Sequence, residues 1–209
     1  MPPADCPVED ADKRIIGIYS RHASAFVRQR SRALFEKAWL DRFLAVMPPG
    51  RAVLDLGCGF GEPIAGYLIA AGCDVTGVDT SAELLAIART RFPDHAWVKT
   101  DMRTLGLGPR FQGVLAWDSF FHLTPEDQRE MFSVFRAHLQ DGGVLMFTSG
   151  PTASVRIGEY EGEPLYHASL GPDEYRALLA RQGFDVLSYR PEDPDCGGHT
   201  VWLARLSCK

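Results

Sequence analysis

The stretch that decides the fold is Val53-Leu54-Asp55-Leu56-Gly57-Cys58-Gly59-Phe60-Gly61-Glu62-Pro63. An apolar run ends in glycines at three alternate positions and leads into a helical pattern over about Glu62 to Ala71, so it reads as strand, tight turn and helix. Glycine admits positive φ and lets a ligand come close to the backbone, and the helix that follows offers unpaired N–H groups. A plain turn explains one such glycine, or two. Three at alternate positions mark a turn shaped around a nucleotide-like ligand. The dinucleotide fingerprint requires glycine at position 62, where Glu62 stands. A carboxylate there opposes a pyrophosphate seated on the positive end of a helix. The loop therefore suits a ligand that lacks phosphate and carries positive charge.

Outward from this loop, strand-like and helical runs alternate. DVTGVD (74–79), a helix near Ala82 to Arg91, AWVKTD (96–101), GVLAWD (113–118), a helix from about Pro125 to Leu139 and GVLMFTS (143–149) follow one another. This order marks βαβ units and a mostly parallel sheet. Pro63, Pro125 and Pro172 sit where helices begin, Thr124 is placed to cap the second of these, and Gly72, Gly142 and Gly183 sit where helices should stop. Near the end, FDVLSYR (184–190) and HTVWLARL (199–206) are joined by a loop too short for a crossover helix, so they should pair antiparallel. Upstream of the loop, two helical patterns run from about Asp10 to Val46, a helical cap over residues 1–47. Residues 150–171 show little regular pattern, and a long connection of that kind serves as a lid or acceptor-site loop.

Asp79 ends the second strand, where a carboxylate can accept from both hydroxyls of a ribose. Thr80 with Glu83 reads as the capping box of the next helix, leaving Asp79 free. Asp101 and Met102 end the third strand, an acid for an adenine amino group and a side chain to pack on the ring. From Val53 to Ser149 the chain resembles the class I S-adenosylmethionine-dependent methyltransferases: VLDLGCGFG, GVDTS, TDM and GVLAWDSFFHL match that family's motifs in order and spacing. S-Adenosylmethionine has no phosphate and carries an ammonium and a sulfonium, which turns the acidic residues around the loop into assets. The resemblance implies a doubly wound, Rossmann-like α/β sheet of seven strands, mostly parallel, with an antiparallel last strand. It implies a cofactor site of Asp55, Gly57, Cys58, Gly59, Gly61, Asp79, Thr80, Asp101, Met102, Trp117 and Asp118. The terminal segments are similar to those of small bacterial members that act on small molecules, and Tyr19 lies where such proteins place an aromatic over the methionine end.

The fourth strand delivers Trp117-Asp118-Ser119-Phe120-Phe121-His122 to the carboxyl edge of the sheet, where open α/β sheets bind ligands. Methyl transfer from a sulfonium needs alignment, desolvation and, for hydroxyl or ammonium acceptors, removal of a proton. His122 is the candidate base; equally, it reads as an anchor for the next helix. His167 and Tyr166 in the long connection are the second choice, with Tyr160 and Glu159 beside them, while His199 reads as structural. The Asn-Pro-Pro-aromatic motif used on amide or base nitrogens is missing, which disfavours DNA bases and glutamine as acceptors.

Composition sets the outer limits. The chain has 209 residues, 45% hydrophobic and 23% charged, which suits one globular domain over 1–209. A net charge of −5 disfavours nucleic acid; the cluster Arg21, Arg28, Arg30, Arg32 and Lys37 reads as a solvated helix face. The acidic, Pro-rich start is no signal or transit peptide, and no apolar run reaches membrane-spanning length. Five scattered cysteines (Cys6, Cys58, Cys73, Cys196, Cys208) fit reduced thiols in the cytoplasm and no metal. The expected activity is S-adenosylmethionine-dependent transfer of a methyl group to oxygen or nitrogen of a small-molecule acceptor. Two other readings share parts of the pattern: a non-catalytic protein that binds the methyl donor or its demethylated product, and an NAD-dependent oxidoreductase, which fails at Glu62 and lacks a Tyr-x-x-x-Lys pair.

Overall fold

The computed structural model describes residues 11–108 and 110–208; the acidic start and Cys6 lie outside the described residues. Seven strands form one sheet in the order β3-β2-β1-β4-β5-β9-β8: β1 (Ala52–Leu56), β2 (Asp74–Asp79), β3 (Ala96–Lys99), β4 (Phe111–Ala116), β5 (Leu139–Ser149), β8 (Phe184–Asp193) and β9 (His199–Leu206). β1 to β5 pair in parallel, and β9 runs antiparallel to both β5 and β8. The doubly wound sheet with a reversed last strand expected from the sequence is thus present. Its order turns back between β1 and β4, the switch point at which such sheets open a crevice.

Strand residues alternate between two cores, one on each face of the sheet. Leu54, Val114, Leu145, Phe147 and Trp202 face α6 (Pro125–His138) and α7 (Pro172–Arg181). Val53, Leu115, Val144, Met146 and Leu203 face α3 (Lys37–Val46), α4 (Ile64–Ala70) and α5 (Ala82–Arg91). Burial on both faces is why these strands read as continuous apolar runs rather than alternating ones. Helix ends follow the local chemistry. Pro125 and Pro172 open α6 and α7, and Thr124 Oγ1 accepts from the Asp127 N–H at 3.1 Å. Among the described residues no helix is long and apolar enough to cross a membrane.

Three local expectations need correction. The N-terminal region holds three helices rather than two: α1 (Ala11–Arg21), α2 (Ala23–Gln29) and α3. α2 stops because Arg30 turns extended (φ −58°, ψ 121°), with no glycine or proline to mark the break. Residues 150–171 are largely a regular hairpin of β6 (Ser154–Tyr160) and β7 (Glu163–Ser169). Its turn places Glu161 and Gly162 at φ +51° and +79°, the paired left-handed conformations of a two-residue hairpin loop. The cap of α5 is Ser81, not Thr80: its Oγ accepts from the Leu84 N–H at 3.2 Å and lies 3.0 Å from Glu83 Oε2.

The hairpin leans on α1. Ile15 and Ile18 pack with Leu165, Tyr166 and Ala168, and Glu163 is clasped by Arg21 (Nε to Oε1, 3.0 Å) and His22 (2.6 Å). Together they roof the carboxyl edge of the sheet.

Phe147 is fully buried, stacked on Trp202 (5.8 Å, 4°) and edge-on to Phe120 and Tyr175. Phe147→Ala should cost about 3–5 kcal/mol in urea unfolding, while Val155→Ala, on the exposed strand of the hairpin, should stay within about 0.5 kcal/mol.

Candidate active site

The glycine loop is held by its own backbone. The N–H groups of Gly57 and Cys58 both donate to Val78 O, at 2.7 and 3.1 Å, which ties the end of β1 to the end of β2. Gly57, Gly59 and Gly61 all take positive φ, +75°, +55° and +82°, a region that disfavours side chains. A Cβ on Gly57 would lie 2.2 Å from that of Ser119, and one on Gly61 3.0 Å from Trp97. These two glycines admit protein neighbours. Gly59 is different: the nearest atom to such a Cβ is on Phe26, 3.4 Å away.

Asp79 does more than end a strand. Its Oδ2 accepts from the Gly59 N–H at 2.9 Å and its Oδ1 from the Ser81 N–H at 2.8 Å. The carboxylate is therefore not free, but each oxygen keeps a second lone pair, enough for two hydroxyls. Burial pushes its pKa up, and the backbone donors oppose that shift. Asp55 at the end of β1 is also buried, yet has no hydrogen-bond partner among the described residues. Burial first, and then the Asp79 charge, push its pKa up to about 7. Asp101 reaches the cleft already gripped by Arg103 (Nη2 to Oδ2, 2.6 Å), which also reaches Asp127 at 2.9 Å. Burial would raise the Asp101 pKa, but Arg103 outweighs it and holds it down.

At the end of β4, Asp118 adopts φ +49°, strained for a residue with a side chain, and its N–H donates to Thr148 Oγ1 at 2.9 Å. Its carboxylate sits between two cations. Oδ1 is 2.8 Å from His199 Nε2, and Oδ2 accepts from Arg30 Nη1 at 3.0 Å; Arg30 Nη2 continues to the buried Glu36 at 3.1 Å. His199 Nδ1 lies 2.7 Å from the Cys196 carbonyl oxygen, so that nitrogen carries hydrogen, and the carboxylate favours a second proton on Nε2. Burial works against the imidazolium, but Asp118 prevails and raises the His199 pKa, while Asp118 itself is held low by the same partners against its own burial. Trp117 stacks on the His199 ring at 5.5 Å.

The glycine loop, Asp55, Asp79, Asp101, Asp118, Arg30 and His199 open on one cleft of about 440 Å³. Every residue expected at the site lines it except Tyr166, Glu159 and Tyr160. The Tyr166 ring packs against α1, and only its backbone carbonyl reaches the site, accepting from His122 Nδ1 at 2.8 Å. His122 is buried, with its pKa pushed down to about 4 chiefly by that burial, and its Nε2 lies 2.9 Å from the Tyr19 hydroxyl. It is a weak base whose lone pair is already engaged. Glu159 is exposed and does not line the cleft. Arg30 and His199 also line it, against the expectation of a solvated helix face for the first and a structural role for the second. The partial clue was Arg30 within a basic cluster; nothing in the sequence pairs either residue with Asp118.

The donor set fits S-adenosylmethionine. Asp55 is an unpartnered, desolvated carboxylate suited to an ammonium, and Asp79 offers lone pairs for a ribose.

Residues 53–143 match the family described as methyltransferase domain. The protein YqeM of Bacillus subtilis (strain 168) is 35% identical over 137 residues, 62% of this chain and 54% of that protein. The dTDP-3-amino-3,4,6-trideoxy-alpha-D-glucopyranose N,N-dimethyltransferase of Streptomyces venezuelae is 33% identical over 101 residues, 47% of this chain and 42% of that protein. The chain thus matches about half the length of these relatives. The structure of S-adenosylmethionine-bound CalS10, an amino pentose methyltransferase from Micromonospora echinaspora, aligns with a TM-score of 0.69 at 22% identity, over 90% of this chain and 96% of that one, a likeness of fold. The match begins on the glycine-loop strand and runs on into β5, the stretch whose motifs line the cleft, and over residues 53–143 the chain matches the methyltransferase-domain family.

Proposed function

We propose that the chain transfers the methyl group of S-adenosylmethionine to a nitrogen or oxygen atom of a small molecule. The observation that carries this reading is Asp55: a buried carboxylate without a hydrogen-bond partner, beside the glycine loop, at the wall of a cleft within the range of about 300–1,000 Å³ that holds small ligands. An uncompensated carboxylate of this kind is stabilised by an arriving cation. The donor's ammonium supplies one, whereas the pyrophosphate of NAD would add negative charge beside Asp55, Glu62 and Asp79.

In this reading Asp79 holds the ribose, Met102 packs on the adenine, and the glycine loop lets the donor lie against the backbone. The chain contributes alignment and exclusion of water, since a sulfonium already carries a good leaving group. Among the relatives, some are named for amino-sugar acceptors and others for malonyl-[acyl-carrier protein] or trans-aconitate, so they support methyl transfer without fixing the acceptor atom. The test is turnover. Incubation with S-adenosylmethionine and a panel of hydroxylated and amino compounds should release the demethylated donor, and a chain that binds the donor but never consumes it is a sensor instead.

Asp79→Ala should weaken donor binding by about 1.5–3 kcal/mol, roughly 10- to 150-fold in Kd by calorimetry, with the fold retained. Part of that loss comes through Gly59, whose N–H loses its acceptor.

Donor affinity should also depend on pH through Asp55. With its pKa raised to about 7 in the free chain, the carboxyl is neutral below that pH and must lose a proton to pair with an ammonium. Because the free fold binds a proton that the complex releases, affinity should rise from pH 5.5 to 7.5 and then level off. Calorimetry near pH 6 in buffers of different ionisation enthalpy should register proton release. Asp55→Asn should bind more weakly at pH 7.5 and lose that rise; an unchanged pH profile in the variant would remove Asp55 from the donor site.

A further inference from the structure

The roof of the cleft is a cluster of rings. His122 lies 4.9 Å from Phe121, 4.8 Å from His167 and 5.5 Å from Tyr19, centroid to centroid, and Tyr160 stacks behind Tyr19 at 6.0 Å. The positions of the polar hydrogens in this cluster follow from its partners. A carbonyl oxygen only accepts, so His122 Nδ1, 2.8 Å from Tyr166 O, carries the hydrogen. The ring is neutral, so Nε2 carries a lone pair, and the Tyr19 hydroxyl 2.9 Å away must donate to it. The Tyr19 hydrogen is thereby engaged, and Oη is left with lone pairs only. His167 repeats the pattern: its Nδ1 lies 3.2 Å from Leu165 O, burial pushes its pKa down, and its Nε2 has a lone pair and no partner among the described residues. The two arginines on the cleft wall are already paired, Arg30 with Asp118 and Glu36, Arg103 with Asp101 and Asp127.

Building on the methyl-transfer reading above, we propose that the acceptor is an amine, taken as neutral –NH₂ with its hydrogens directed to Tyr19 Oη and His167 Nε2, and that His122 is a positioning residue that fixes Tyr19 as an acceptor. An amine satisfies both acceptors and keeps its lone pair for the methyl carbon. An alcohol brings one hydrogen and leaves one acceptor unpaired; a carboxylate brings none. In the transfer the nitrogen lone pair forms the C–N bond, the C–S bonding pair returns to sulfur, and the positive charge passes from sulfur to nitrogen. The product is a secondary ammonium and a neutral thioether, and the ammonium gives up its proton to water after release. As charge develops on nitrogen its N–H bonds to Oη and Nε2 strengthen and the rings face a cation, so the interaction favours the transition state over the bound amine.

The experiment uses matched acceptors on two skeletons: benzylamine, benzyl alcohol and benzoate, and glucosamine, glucose and glucuronate. Release of the demethylated donor is measured for each, and binding of each is measured with the demethylated donor present. Each amine should exceed its alcohol about tenfold or more in turnover or binding. An alcohol or carboxylate that equals or exceeds its amine overturns the amine assignment while leaving methyl transfer standing. So does a chain that binds the donor but shows no preference in either measurement. Failure to bind the donor overturns both readings. His122→Leu, checked for folding by its melting temperature, releases the Tyr19 hydroxyl to donate into the cleft and should lower the amine-to-alcohol ratio about tenfold. His122→Gln, whose amide can donate to Tyr166 O and accept from Tyr19, should keep it. A role confined to stability would lower both substrates equally, and an unchanged ratio in His122→Leu overturns the positioning role.

Discussion

The site hangs on two backbone grips at the end of β2. Val78 O receives two N–H groups from the glycine loop, and the Asp79 carboxylate receives a third from Gly59 while also holding the entrance to α5 through Ser81. Positive φ at Gly57, Gly59 and Gly61 costs these residues little and lets the chain turn tightly enough to bring its N–H groups onto β2. The loop is shaped by the protein's own hydrogen bonds. That is preorganisation in a physical sense: the backbone entropy of the loop is lost on folding, and binding need not lose it again.

A second constraint ties the N-terminal helices to the sheet. Arg30 leaves α2 in an extended conformation and reaches Asp118 at the end of β4, which also holds His199 at the start of β9. Three distant segments therefore meet at one carboxylate. The strained φ of Asp118 is held by this pair of cations and by Thr148 beneath its N–H. Glu36 closes the chain behind Arg30, fully buried with its Oε2 unpartnered, and burial raises its pKa. The arrangement shapes this part of the cleft wall with nearly balanced charge.

Much of this was legible in the sequence where the determining contacts are local. The glycine loop, Asp79 and the strand–helix alternation are set by residues within one βαβ unit, and periodicity and turn chemistry report them. The antiparallel last strand followed from an eight-residue loop, PEDPDCGG. The role of Arg30 was not legible, because its partner Asp118 lies 88 positions away, and His199 meets the same carboxylate across 81. His122 shows the same limit from the other side. Its place in the cleft was readable, but its weakness as a base depends on Tyr19, 103 positions earlier, and on burial under β7. The hairpin over 154–169 was hidden for a different reason. Val155 and Ile157 are exposed, so its strands lack the apolar alternation of a half-buried sheet, and only Glu161-Gly162 signals the turn.

Roof and floor of the cleft are held by ion pairs of unlike setting. The roof clasp of Glu163 with Arg21 and His22 sits at the surface, where Arg21 is 54% exposed, whereas Arg30 in the floor is 20% exposed and Glu36 1%. Exposed charges are screened by dissolved ions over about 8 Å at physiological ionic strength, and shielded ones much less. Added salt therefore weakens the Glu163 clasp more than the Asp118 cluster, and the apolar contact of Ile15 and Ile18 with Leu165 and Ala168 carries the roof where the clasp is screened.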